Sequence, residues 1–143
     1  MKVASALLKN GIVYVQAYSE TTLGVWIGVG PVHMSDISQI EDLGKAVQDA
    51  LELSARGVPH PSRDKWKGIQ QPMLDAVGAK SWSALAKGAR AVGIESEDGL
   101  VTMTPSRDYQ SDGGTDLSEQ AIVVPFDVGI IGENLRRAFD LSS

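Results

Sequence analysis

The decapeptide "KSWSALAKGA", residues 80 to 89, places Lys80, Ser81, Ser83 and Lys87 within a few turns of one another. A serine nucleophile and a lysine base can be built from such residues, provided the base reaches the hydroxyl in a water-poor pocket. On a helix that starts after Ser81, however, Trp82, Leu85, Ala86 and Ala89 fall at i, i+3, i+4 and i+7 and form one apolar face. Ser83 and Lys87 then point to solvent, and Ser81 is placed to cap the first turn. The spacing is not Ser-x-x-Lys, and no other element of that enzyme class is present. The stretch reads as a capped amphipathic helix, and the chain as a protein without catalysis.

The other chemistry-bearing clusters are equally incomplete. Residues 108 to 119 hold Asp108, Asp112, Asp116 and Glu119 beside Tyr109, with no lysine or arginine. The segment does not follow the calcium-loop pattern. A solvated loop, or an acidic surface that engages a basic partner through matched potentials, comes ahead of a metal loop. His33 and His60, the only histidines, lack a second imidazole or a carboxylate at ligand spacing, which argues against zinc or a histidine-centred triad. His60, between Pro59 and Pro61, reads as an exposed loop residue. The glycines of "GVWIGVGP" do not complete a phosphate-binding fingerprint and read as a tightly packed strand. No catalytic, cofactor-binding or metal-binding residue is assigned. In "RDKWKG", residues 63 to 68, Trp66 stands among Arg63, Lys65 and Lys67. It reads as an interface anchor, as a stacking platform for single-stranded nucleic acid, or as an inward-tucked loop residue.

The composition narrows these choices. A chain of 143 residues that is 43% hydrophobic has enough apolar material for one domain, residues 1 to 143, with its own core. A net charge of −5 argues against nucleic-acid binding, which needs a surplus of lysine and arginine on one face. The absence of cysteine removes disulfides and thiolate metal sites. The apolar run of "MKVASALLKN" stops at Lys9 before a signal peptide is complete, and no stretch approaches the roughly 20 residues of a membrane span. The chain is expected to be full length and cytoplasmic, without a membrane partner.

The elements that must position these residues follow from periodicity. "KVASALL", the hairpin signal Asn10-Gly11, "IVYVQAY" and "LGVWIGVG" predict three strands in a meander. Residues 37 to 55 change to a helical period, with Gly57 placed as its stop. A connector with Pro59 and Pro61 leads to a short helix over 71 to 77 and then to the capped helix. Strands are predicted over 90 to 96, 100 to 104 and 120 to 125, with a polar loop over 105 to 119 and a last helix over 128 to 141. Shifting the sequence by 88 places Asn10-Gly11 on Asp98-Gly99, Gly44 on Gly132 and "ALELS" on "AFDLS". The expected class is α+β, a mainly antiparallel sheet packed by helices with a βββα pseudo-repeat.

One family resemblance covers much of this. "MLDAVGAKSWSALAKGARAVGIESEDGLVTMTPSR" followed by "LSEQAIVVPFDVGIIGENLRRAF" resembles the immunity proteins of contact-dependent growth inhibition systems over residues 71 to 141. The resemblance implies a bacterial protein that binds the toxic C-terminal domain of a delivered exoprotein, often a nuclease, and neutralises it by covering or blocking its active site. The implied partner is a basic toxin domain in a one-to-one complex, and no cofactor is implied. Asp108, Tyr109, Asp112, Asp116, Glu119 and Trp66 are the candidate contacts, chosen for their charge and aromatic character. The alternative is a nucleic-acid-binding module on the same sheet-plus-helix scaffold.

Overall fold

A computed structural model describes residues 1–143. Strand β1 (Lys2–Lys9) turns at Asn10 and Gly11 into β2 (Ile12–Thr21). Both turn residues have positive φ, +53° and +80°, the conformation that lets a two-residue turn follow the twist of its strands. Then come β3 (Trp26–Asp36), helix α1 (Ile40–Leu53), the short β4 (Arg56–Val58), a 3-10 turn over Arg63–Gly68, and helices α2 (Gln71–Val77) and α3 (Trp82–Ala86). The remainder consists of β5 (Arg90–Glu97), β6 (Leu100–Arg107), β7 (Thr115–Asp116), a 3-10 turn over Ser118–Gln120, β8 (Ile122–Pro125) and helix α4 (Val128–Leu141). The strands form one sheet in the order β3-β2-β1-β5-β6, with β7 and β8 pairing to β6, and only β4 runs parallel to its neighbour β2. The class is α+β with a mainly antiparallel sheet.

Strand alternation divides the sheet into two faces. Ala4 and Ala6, Val13 and Val15, Val92 and Ile94, and Val101 and Met103 turn toward α1 and α4, where Leu43, Val47, Leu51, Ile131, Leu135 and Phe139 complete the main core. Each of these large side chains contributes about 1.5–3 kcal/mol by leaving water, so this layer dominates stability. On the opposite face Leu7, Tyr14 and Ala91 of the strands and Tyr109 form a smaller cluster with Met73 of α2 and Leu85 of α3.

The pseudo-repeat is geometric as well as sequential. β5, the start of β6, and α4 each lie 88 positions after β1, β2 and α1, and Asp98-Gly99 repeats the Asn10-Gly11 turn with φ of +53° and +78°. β1 and β5 pair so that Ser5 faces Gly93, its own counterpart at that offset. A pseudo-two-fold axis therefore passes between them. The helices cross about the same axis: a Cβ on Gly44 would lie 2.6 Å from the Val128 carbonyl carbon, and one on Gly132 would lie 2.9 Å from that of Ile40. Ile40 and Val128 are themselves equivalent residues. Only glycine permits this approach.

Three expectations are corrected. The third strand starts at Trp26 and continues through Gly30 and Pro31 to Asp36, with a register shift opposite Val15 to Ala17 that absorbs the irregular backbone. α1 begins at Ile40 and ends at Leu53, so that Gly57 lies in β4 and not at a helix stop. The polar segment after Thr104 is partly ordered, because β6 continues to Arg107 and β7 pairs back onto it.

Candidate functional site

The connector between the two halves arches over β1, β2 and β3 without filling the space beneath it. A cavity of about 460 Å³ remains. All three tryptophans of the chain, Trp26, Trp66 and Trp82, line it together with Tyr18 and Tyr109. Leu7, Ile27, Ile69 and Met73 add apolar wall, while Ser5, Gln16, Gln70 and Lys67 supply polar groups. Concave apolar surface with a few convergent polar groups is what a binding site requires.

Each aromatic has a local reason for its place. Tyr18 stands on β2 between Val3 of β1 and Gly28 of β3. Gly28 leaves room for the neighbouring Gln16 side chain, whose Oε1 a Cβ there would meet at 2.8 Å, and Gln16 Nε2 donates to the Gly30 carbonyl at 3.2 Å. Trp82 opens α3, where the Ala84 N–H donates to Ser81 Oγ at 3.2 Å and Lys9 Nζ donates to the carbonyls of Ala84 and Leu85. Tyr109 meets the edge of Trp82 at 6.3 Å between centroids.

Trp66 is held through His60. Their rings meet edge to face at 5.2 Å, and His60 Nδ1 lies 3.0 Å from Thr21 Oγ1. Thr21 Oγ1 already accepts from the N–H groups of Leu23 and Val25, both at 3.3 Å, so its own proton goes to His60 Nδ1. A hydroxyl has two lone pairs and one proton, and this arrangement uses all three. His60 is thus half-buried, not the exposed loop residue its flanking prolines suggested.

The electrostatics suit binding. Burial pushes the Tyr18 hydroxyl above its ordinary range, and burial reinforced by the nearby Tyr18 does the same for Tyr109. Both are neutral hydroxyls at physiological pH. Lys67 is the one charged residue of the lining. No carboxylate there can serve as a general acid or base, and no group of three or more His, Asp or Glu side chains is gathered to hold a metal.

The structure brings Trp66 and Tyr109 into one cavity and leaves the carboxylates outside it. Asp108 precedes Tyr109 and Asp112 follows three residues later in the same turn segment, both with positive φ, and the loop is tied down by the Asp108 N–H donating to Ser143 Oγ at 3.1 Å and the Gly88 N–H donating to Gln110 Oε1 at 3.0 Å. Asp116 lies in β7 opposite Ser106, and Glu119 in the following 3-10 turn. All four are exposed. Trp26, Trp82, Tyr18 and Lys67 are site residues that sequence reasoning did not select. Ser81 acts as the cap, Ser83 is exposed, and Lys87 follows the last residue of α3. His33 sits in a shallow groove with Asp42, Lys45 and Asp49, where Lys45 is paired with Asp49 at 2.8 Å. No helix is long and apolar enough to cross a membrane.

No protein-family model and no curated protein matches this sequence. Solved structures do match its fold. A protein of unknown function from Neisseria meningitidis, NMB0488, superposes with a TM-score of 0.80 at 20% identity, covering 99% of this chain and 95% of that one. A chain of the CdiA-CT/CdiI toxin and immunity complex from Yersinia pseudotuberculosis superposes with a TM-score of 0.77 at 22% identity, covering 99% and 97%. The resemblance found over residues 71 to 141 therefore extends, as fold, across nearly the whole chain.

Proposed function

We propose that this protein is an immunity protein: it binds the toxic C-terminal domain of a contact-dependent growth inhibition exoprotein and neutralises it without catalysis. The observation that carries this reading is the full-length likeness to a chain of a solved toxin and immunity complex. The aromatic cavity supports it, because tryptophan and tyrosine are enriched among the residues that carry protein-binding energy. The acidic turn beside Tyr109 adds orientation toward a basic partner, as a nuclease toxin would be. The partner is covered at its active site in a one-to-one complex within the cytoplasm, burying roughly 1,200–2,000 Å² in total. The test is survival of cells producing the toxin domain encoded directly upstream of this protein's gene, with and without the protein. Rescue from that toxin and not from unrelated ones is the expected result. Continued killing in the presence of folded, abundant protein would overturn the reading, and steep salt-dependent binding to nucleic acid would then be the property to measure.

A further inference from the structure

The sheet face turned away from α1 and α4 changes character along β1 and β2. Around Leu7 and Tyr14 it is apolar and filled, with Met73 and Leu85 packed against it. Further along the same strands it becomes polar. Ser5 of β1 stands opposite Gln16 of β2, and Tyr18 follows two positions on, so all three border the cavity while the alternate residues Ala4, Ala6, Val15 and Ala17 face the main core.

The hydrogen-bonding capacity of this floor is not used inside the protein. Gln16 is 3% exposed, and its carboxamide makes a single bond, Nε2 donating to the Gly30 carbonyl, which leaves Oε1 and the second N–H free. The Ser5, Tyr18 and Tyr109 hydroxyls bond to no other protein group. His33 Nε2 is the one side-chain polar atom shut away without a partner, so the free groups here remain accessible, and the cavity is the space they border. Burying polar groups unpaired is costly, and an apolar floor like that of the main core would have avoided it.

The walls set the shape and charge of an occupant. His60 meets Trp66 edge to face and Tyr109 meets Trp82 likewise, so the aromatic surfaces are fixed before anything binds. Such walls favour a flat ring, which stacks on them or meets their edges. Aromatic surfaces also attract organic cations, but the charge of the site opposes one. Lys67 is the one charged residue of the lining and forms no ion pair, and its 3-10 turn sets Arg63 and Lys65 beside it against Asp64 alone. The turn is positive in a chain whose net charge is −5.

We propose that the cavity is a binding site for a small planar aromatic anion, its ring held by the tryptophan and tyrosine walls, its polar edge by Ser5, Gln16 and Tyr18, and its negative group by Lys67. Lys67 is exposed and so reaches the anion from the rim. The volume of about 460 Å³ lies within the roughly 300–1,000 Å³ of small-molecule sites. This site does not depend on the immunity reading.

All three tryptophans line the cavity, so every indole N–H signal in the proton–nitrogen NMR spectrum reports on it. The full-length protein is titrated with 2-naphthoate, with neutral 2-naphthamide and cationic 2-naphthylmethylamine, which share its ring, and with adenosine monophosphate. Naphthoate should move all three signals and saturate, binding about fivefold or more tighter than the amide and tighter still than the amine. Added salt should narrow the gap. Lys67→Gln, at an exposed position, should remove the preference and leave amide affinity unchanged, while Tyr18→Phe should weaken both ligands. Either order between naphthoate and adenosine monophosphate supports the site, the tighter of the two naming the source of its anion. A preference for the amine, undiminished naphthoate binding in Lys67→Gln, or indole signals unmoved by all four molecules would overturn the inference. Signals that move only with the upstream-encoded toxin domain would assign the cavity to that partner and likewise overturn it.

Discussion

Replacing Gly132 with alanine sets two effects of opposite sign against each other. Alanine is the better helix former by about 1 kcal/mol, so propensity alone forecasts a more stable protein. Against this, the new Cβ would sit 2.9 Å from the Ile40 carbonyl carbon and closer still to its oxygen. The oxygen, the closer of the two, sets the requirement, so α1 and α4 must separate by roughly an ångström or more to admit the methyl group. The separation falls on the best-packed layer of the molecule, where Leu43, Val47, Ile131 and Leu135 are fully buried. Overpacking of this kind costs about 1–3 kcal/mol, and the upper end applies because the clash is with backbone. The net expectation is a loss of about 2 kcal/mol, or roughly 4–8 °C in melting temperature for a chain of this size. Gly44→Ala should behave alike, since its Cβ would meet the equivalent carbonyl of Val128. One separation relieves both clashes, so the double variant should lose less than the sum of the single ones. Urea unfolding of the three variants decides the matter. A stabilised single variant, or strict additivity in the double, would refute the reasoning.

The remaining expectations concern the site. Thr21→Val removes the hydroxyl that satisfies two backbone N–H groups and His60, and should cost about 1–3 kcal/mol and loosen Trp66, seen as a fluorescence change; Thr21→Ser should restore both. Burial raises the Tyr18 and Tyr109 hydroxyls above the ordinary value of 10.0, so the unfolded chain ionises first. Their contribution to stability is complete below pH 10 and is lost above it, at up to about 1.4 kcal/mol per pH unit for each tyrosine. Alkaline unfolding followed by tyrosinate absorbance should show this decline, and Tyr109→Phe should flatten it. Lysine at both Asp112 and Asp116 should weaken toxin binding by more than about 1 kcal/mol in calorimetry, and an unchanged affinity would remove the acidic turn from the interface.

The strands and helices were legible because burial on one side imposes a period, two in β1, β2 and β6 and near four in α1 and α4. The duplicated layout was legible through a few turn and helix residues at one offset, and the register of Ser5 on Gly93 gave it geometric form. β3 was shortened because Gly30 and Pro31 look like a strand end; in the structure the Gln16 amide bridges to the Gly30 carbonyl and the strand resumes. The cavity was not legible. Its aromatics stand at 18, 26, 66, 82 and 109, and nothing local to any of them shows that the strand order and the arched connector converge them. Trp66 was selected for its basic neighbours and Tyr109 for its acidic ones, yet the wall they share is nearly uncharged. His60 was misread for the same reason, since its partner Thr21 lies on a distant strand end.

The axis between Ser5 and Gly93 has a consequence for counting. Two separate copies of such a half, joined through the same pair of strands, would form an isologous dimer with two identical outer faces. Any partner that fitted one face would fit the other. Joining the halves in one chain keeps them at high effective concentration and also frees them to differ. The linker that does the joining packs on the face of one half, so the symmetry of the paired strands is not carried through to the surface, and the molecule presents a direction that its backbone alone would not give it.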